Sequence, residues 1–544
     1  MVPVRRMLFL VIFLSFITAG FAFGSATNVY ITPDGNPAGK CPTGANTHNA
    51  TWFNATANWG SGAAQIGPGS TVLLCGTFTF AAGATGLTVQ GSGTSANPIT
   101  IAFDSGAILQ SPGFGGFGSS NYSAGIVVNG VNYITVDGKN TGTIQNTLNG
   151  TAGQTCLGGA CSVHQSSLGM YIHNTTGVAV QNLTIQDIYM DKNAEQGNAA
   201  WYSGDIYTDG PNSSVVIQGN VLNDAHVGAW ISFDNGSTTA NVFNNTIAHH
   251  AWQISWANGS SKSSTSSGAV YNNDLSNYDD WNAGGSGSFH TDGVIQYTVS
   301  GAPTFNLPIY NNYFHGDLDG GTGAGTAHIS CGTTNPSSTC TAFNNIIDMS
   351  SSTHCAAGIW IEGDNSQIYD NTILGPSKCS TGASYGIVFQ GKAATLNNNL
   401  ISTVSYVLGD PGPYGTIASE ITASDNNDFY NCLSSTCFAF SVNYNTLAEW
   451  QKGTKFDADS VNSNPNLGSN YTLPSGSPAI SLGANLTGLN ISPLDTSAPM
   501  NFGVGGGCGS GCLNRPTGTT AWDAGAEASG VGVPPPTGLV ATVN

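Results

Sequence analysis

Along most of the chain, apolar and polar residues alternate over short stretches that open or close on glycine or asparagine. GAWISF from Gly228, DGVIQY from Asp292, GIWIEG from Gly358 and GIVFQG from Gly386 share this form. A period of two predicts short strands with one buried face. If Ile359 and Ile361 point inward, Trp360 and Glu362 point outward. The same phase exposes Trp230 with Ser232, and Val388 with Gln390. Trp252 and Trp256 share the phase of Ile254 and follow it inward if that residue faces in.

A second phrase punctuates these strands: an asparagine, often doubled, followed by an apolar pair. It recurs as QNLTI at Asn182, GNVL at Asn220, NNTI at Asn245, NNDL at Asn273, NNYF at Asn312, NNII at Asn345, DNTI at Asn371, NNLI at Asn399 and NNDF at Asn427. Subtracting neighbouring positions gives 38, 25, 28, 39, 33, 26, 28 and 28 residues. The short intervals suit one turn of a solenoid, and the long ones a turn that carries a loop excursion. Asparagine suits such a corner because it tolerates a left-handed backbone and because stacked amides can bond from coil to coil.

Composition narrows the class. Only 8% of residues are charged and 73 of 544 are glycine, a mixture poor in helix formers and rich in turn formers. The formal charge of -19, with Arg515 the one arginine beyond Arg6, excludes a nucleic-acid partner that needs a basic surface. Arg5 and Arg6, the apolar run from Met7 to about Phe23 and small residues around Ala26 read as a secretory signal peptide. No later stretch is apolar enough to span a membrane, so a secreted or cell-surface protein is expected. The twelve cysteines form sequence-local couples: Cys41 with Cys75, Cys156 with Cys161, Cys331 with Cys340, Cys355 with Cys379, Cys432 with Cys437, and Cys508 with Cys512. An even count after a leader favours disulfides, although spacing alone proves no connectivity.

The repeat and its strands resemble the pectate-lyase-like superfamily of right-handed parallel β-helices, over about Asn28 to Asp428. The expected fold is all-β, a single solenoid of about ten coils capped at both ends. The expected divisions are a signal peptide at 1–26, a cap and first coils at 27–125, β-helix repeats at 126–440, a closing segment at 441–529 and a proline-rich tail at 530–544. The architecture hosts lyases, hydrolases, epimerases, tailspikes and adhesins, so it leaves the activity open. The resemblance implies that a polysaccharide lies along the outer face of one sheet, walled by loop excursions.

The longest excursions run from Ser276 to Gly293, from Tyr189 to Asp209 and from His315 to Thr339. The first places Asp280, His290 and Asp292 just before the strand that carries Gln296, which makes those three the catalytic candidates. Paired carboxylates act as acid and base or nucleophile in glycoside hydrolysis, and a histidine beside an aspartate can carry the proton of an elimination. Structural roles stay open to the same residues: a turn at Asp292-Gly293 and a hydrogen-bonded wall at His290. Candidate substrate-binding residues are Trp230, Gln296, Trp360, Glu362, Gln390 and Lys392, since sugar rings stack on exposed aromatics. Asp317 and Asp319 in GDLDGG are candidate calcium ligands.

Departures from the family limit the transfer. The polygalacturonase GDD, GHG and RIK phrases are absent, no arginine lies between Met7 and Asn514 to serve as a lyase base, and the epimerase DPHD is missing. So acidic a chain repels an anionic polymer unless calcium intervenes, which favours a neutral or weakly charged glycan. The competing reading is a non-catalytic adhesin or matrix solenoid. Oligomeric state is not legible in the sequence.

Overall fold

A computed structural model of the protein describes residues 28–36, 41, 46–116, 122–148, 167–188, 203–278, 291–303, 305–318, 325–333, 338–353, 355–379, 382–410, 412, 415–468, 471–489 and 521–526. The strands pair in parallel with the equivalent strand of the next coil, and the chain winds as a right-handed parallel β-helix. Three sheets result, here called A, B and C.

Sheet A stacks segments of Ile126–Asn129, Leu168–Thr176, Gly204–Gln218, Val221–Ser232, Thr246–Asn258, Thr291–Thr298, Gly325–Thr333, Ala357–Ile361, Tyr385–Phe389 and Tyr406–Gly409. Sheet B follows in each coil, as in Thr238–Phe243, Ser266–Tyr271 and Asn306–Tyr310. Sheet C closes the coil with short strands such as Asp274–Ser276, Tyr313–His315 and Ile346–Asp348. Strands that run unbroken around a corner, such as Thr246–Asn258, contribute to two sheets. The lumen is filled by inward Ile, Val, Leu and Phe side chains in one continuous core. Such columns hide a large apolar area, each buried aliphatic side chain contributing about 1.5–3 kcal/mol.

The B-to-C corner is where the asparagine phrase acts, and adjacent residues divide the two tasks foreseen for one. Asn244, Asn272, Asn311, Asn344, Asn398 and Asn426 take the left-handed backbone, with φ between 53° and 60°. The following asparagine points inward and builds the ladder. Asn273 Nδ2 donates to Asn312 Oδ1 at 3.0 Å and to the Val242 carbonyl at 3.0 Å. Its Oδ1 accepts from the Asn245 backbone N–H and Nδ2 at 3.1 and 3.0 Å. The same pattern runs through Asn220, Asn245, Asn312, Asn345, Asn371 and Asn399. Asn182 belongs to the left-handed set, and Leu183 holds the ladder position in that coil.

The ladder ends on an acceptor. Asn427 Nδ2 donates to Asp457 Oδ1 at 2.9 Å, and Trp450 Nε1 donates to Asp457 Oδ2 at 2.7 Å. Trp450 lies on the helix Leu447–Thr454, its ring stacked 4.8 Å from Phe438 over the open end of the core. The chain then returns along the outside, where Trp522 and Leu486 cover Phe343 and Tyr369. Four of the expected couples are bonded: Cys41–Cys75, Cys331–Cys340, Cys355–Cys379 and Cys432–Cys437. Cys156, Cys161, Cys508 and Cys512 lie outside the described residues.

Replacing a ladder asparagine removes four side-chain hydrogen bonds from the core, and each polar group left without a partner costs about 1–3 kcal/mol. Asn273→Ala should therefore lower the melting temperature by many degrees. Its neighbour Asn272→Gly, which keeps the left-handed turn, should shift it by little more than 1 °C, about the effect of a surface change. Thermal melts of the two variants compare the roles directly.

Candidate functional site

Outward residues of sheet A form three columns. The central column runs Tyr171, Tyr207, Trp230, Ser255, Ile295, Ser330, Trp360, Val388. Trp230 and Trp360 thus share one face, four register steps or about 19 Å apart. Trp230 is half-buried and meets Tyr207 edge-on at 4.9 Å, and Tyr171 stacks on Tyr207 at 5.8 Å. Trp360 is half-buried among Ala327, Ala357, Val388 and Tyr385.

The column nearest the C-to-A corner runs Val227, Trp252, Asp292, Ala327, Ala357, Tyr385. Trp252 faces outward here, whereas Ile254 and Trp256 face the core, contrary to the common phase expected of the three. The alternation breaks because Gln253 and Ile254 are both fully buried. Asp292 sits directly above Trp252 in the ladder, and the Trp252 ring lies 5.0 Å from that of His226. The described residues that flank 149–166, 189–202, 279–290 and 319–324 are in every case a sheet C strand and the next sheet A strand. Asp280, His290 and Asp319 fall in these stretches, outside the described residues.

Behind Asp292 the corner carries a polar interior. The innermost position reads Gly169, Asp205, Gly228, Gln253, Gly293, His328, Gly358 in successive coils. A side chain at Gly228 would strike Ile247, and one at Gly293 would strike Phe314. Glycine at these positions therefore lets core side chains and the backbone of the next coil approach closely. His250 Nε2 lies 2.8 Å from Asp205 Oδ2, His250 Nδ1 lies 3.1 Å from Gln253 Oε1, and Gln253 Nε2 donates to the Ser276 carbonyl at 2.9 Å. Tyr278 O–H meets His328 Nδ1 at 2.9 Å.

Burial sets the protonation of this chain of groups. Desolvation, reinforced by Asp224 and Asp187, raises the Asp205 carboxyl well above its ordinary value. Desolvation pushes the His250 imidazole down to about 3, with Gln253 opposing and His249 and His226 adding to the fall. A protonated Asp205 donating to a neutral imidazole fits both directions, and the imidazole then donates onward to Gln253. His328 is likewise lowered to about 3 by burial. Asp187, Asp224 and His249 occupy left-handed corner positions of three successive coils over this network. The corner thus joins carboxylates and imidazoles to an aromatic face, the ingredients of proton transfer to a bound sugar.

The remaining candidates are dispersed. Gln296 is buried in register with Trp256, its amide donating to the Thr339 and Phe305 carbonyls at 3.0 and 3.4 Å. Its alternation phase is that of Val294, so it serves the core and not the outer face. Glu362 and Gln390 are half-buried beyond Trp360, and Lys392 is exposed with its backbone N–H on Asp364. Asp317 accepts hydroxyls from Ser352 and Thr353 at 2.8 and 2.7 Å. Among the described residues no group of three or more His, Cys, Asp or Glu is arranged to hold a metal, so no chemical step is routed through one. The phrases NDAHVGAW and HHAWQISW, aligned by the pairing of Val227 with Trp252, carried the signal for the corner cluster.

No family model and no curated protein matches the sequence. Among solved structures, the PL6 family alginate lyase AlyGC is similar over 74% of this chain and 52% of that chain, with 11% identity and a TM-score of 0.46. The chain thus spans about half the length of that lyase. Pectate lyase Pel9A is similar over 93% of this chain and 97% of that chain, with 14% identity and a TM-score of 0.40. The GH136 lacto-N-biosidase from Eubacterium ramulus is similar over 64% of each, with 13% identity and a TM-score of 0.32. At such identities the likeness concerns the fold alone.

The protonated state of Asp205 makes a testable demand. Its folded-state pKa lies above the unfolded 3.8, so the group costs stability increasingly as pH climbs past 3.8 through the folded value. Asp205→Asn, which keeps the donor to His250 without a titrating proton, should gain melting temperature relative to the parent between pH 4 and pH 7. A difference that shrinks over this range would show that the carboxylate is ionised in the fold.

Proposed function

We propose that the protein is a secreted, carbohydrate-active β-helix that binds an extracellular polysaccharide along the outer face of sheet A and cleaves it at the C-to-A corner, by hydrolysis or elimination. The observation that carries this reading is the gathering of Trp230, Trp252, Trp360 and Asp292 on one face, with Asp224, His226 and His249 beside them. A non-catalytic spacer has no reason to collect aromatic, acidic and imidazole groups on a single face. The aromatic column offers apolar surface to sugar rings, and Asp292, fully buried among the described residues, is the carboxyl proposed to exchange a proton with a glycosidic oxygen or a sugar carbon.

Export accords with the leader-like N-terminus, with four disulfides, and with the finding that no helix among the described residues is long and apolar enough to cross a membrane. Asp280 and His290 belong to the excursion that leads into Asp292 and are proposed as its partners. Calcium, through Asp317 and Asp319, is proposed only as a cation to be varied in the assay.

Incubation with neutral and uronate polysaccharides, with calcium or a chelator, tests the reading when reducing ends and unsaturated-uronide absorbance are followed together. Reducing ends without absorbance identify a hydrolase, and both together identify a lyase. Asp292→Asn should then lower kcat by about 10²–10⁴-fold with the melting temperature nearly kept. Binding without cleavage of any polymer would assign the chain to the adhesin class.

A further inference from the structure

At the A-to-B corner, away from the acid and imidazole cluster, the first coils leave a cleft of about 560 Å³. That volume falls within the roughly 300–1,000 Å³ of small-ligand sites. Its walls come from four successive coils: Asn132 from one, Asn174 to Thr176 from the next, Pro211 to Ser213 from the third, and Ser237 with Thr239 from the fourth. Four stacked coils span about 14 Å. None of the lining side chains is ionisable.

The walls are held in place by their own bonds. Asn212 Oδ1 accepts from the backbone N–H and hydroxyl of Thr175 at 3.2 and 3.1 Å, and its Nδ2 donates to the Asp209 carbonyl at 2.8 Å. Asn132 Oδ1 accepts from the Thr176 N–H at 2.7 Å. A side chain at Gly210 would collide with the Gly236 carbonyl, at 1.8 Å from the added carbon, so the two coils meet there without one. Asn174, Ser213 and Thr239 stay exposed at the rim beside the exposed Pro211 ring.

The cleft also continues the aromatic face. His173 and Asp209 stand in the outward column next to Tyr171 and Tyr207, and the chain passes from them directly into Asn174 and Pro211. The Asp209 carboxylate is occupied, accepting from Asn235 Nδ2 at 2.5 Å and Ser232 Oγ at 3.4 Å. That side chain is fully buried and does not line the cleft, and no lysine or arginine lines it to compensate an anionic ligand.

We infer that this cleft is a binding subsite for an uncharged, hydroxyl-rich glycan segment of a few sugar residues, which runs from the Tyr171–Tyr207–Trp230 column around the corner. Amides and hydroxyls can both donate to and accept from sugar hydroxyls, and Pro211 provides a small apolar contact. A uronate chain would have to shed water from each carboxylate without a cation in return, in a protein of net charge -19. The inference rests on the polysaccharide reading above and gives its substrate class.

The test is calorimetric titration of the full chain with gluco-, xylo-, manno- and galacto-configured hexasaccharides, and with oligogalacturonate and oligoalginate. A neutral hexasaccharide should bind, and Ser213→Trp and Thr239→Trp, which fill the cleft from its exposed rim, should each weaken it about tenfold or more. Val442→Trp, an equally bulky change at an exposed position outside the cleft, should leave the affinity nearly unchanged. Preference for the uronates, failure of every neutral probe, or affinity indifferent to both tryptophans would overturn the inference. Cleft-dependent binding without cleavage would retain this subsite and sink the enzyme. Cleavage indifferent to the filled cleft would do the reverse.

Discussion

A coiled chain must satisfy the backbone amides of every corner that it buries, and at the B-to-C corner this protein does so with one asparagine per coil from Asn220 to Asn427. Each ladder amide accepts from the coil before it, and donates both to the coil after it and to a backbone carbonyl, so the ladder side chains are bonded on both sides. The consequence reaches beyond the corner. A side chain that must meet its counterpart in the neighbouring coil fixes the register of the coils, and register decides which outward residues stand above one another on sheet A. The ladder re-establishes that register once per turn, and the sheet A pairing of Asp292, Val294 and Ile295 resumes after a shift at Thr291.

The C-to-A corner pays for its diversity with a polar interior. Asp205, Gln253 and His328 are fully buried at a position where neighbouring coils carry glycine, which lets the coils approach closely. Burial raises the acid and lowers the imidazole, favouring the neutral forms in which a donor and an acceptor can be packed without isolated charges. This network underlies the face on which Trp252 and Asp292 stand. The surface chemistry and the interior support are thus features of the same corner, while the opposite corner carries an uncharged cleft.

Much of this was legible in the one-dimensional pattern. The asparagine phrase and the alternating strands specify a β-helix and the outward phase of Trp230, Trp360 and Val388, because both signals are local and repeat. Gln296 defied the reading since a polar residue in a strand is assumed to face water, and here two backbone carbonyls needed a donor inside. Trp252 escaped its predicted phase because Gln253 and Ile254 are both buried, which breaks the alternation. The partnership of Asp205 with His250 joins residues 45 positions apart, and only the register of the coils brings them together. Asp280 and His290 fall outside the described residues, so their place beside Asp292 is left to experiment.

Hydrogen–deuterium exchange with and without a saturating bound oligosaccharide tests the central claim most directly. Protection should concentrate on the sheet A portions of Gly204–Gln218, Val221–Ser232, Thr246–Asn258 and Thr291–Thr298 and on the A-to-B corner around Pro211 and Thr239, and leave sheet C unchanged. Protection confined to sheet C or to the returning C-terminal segment would contradict the account.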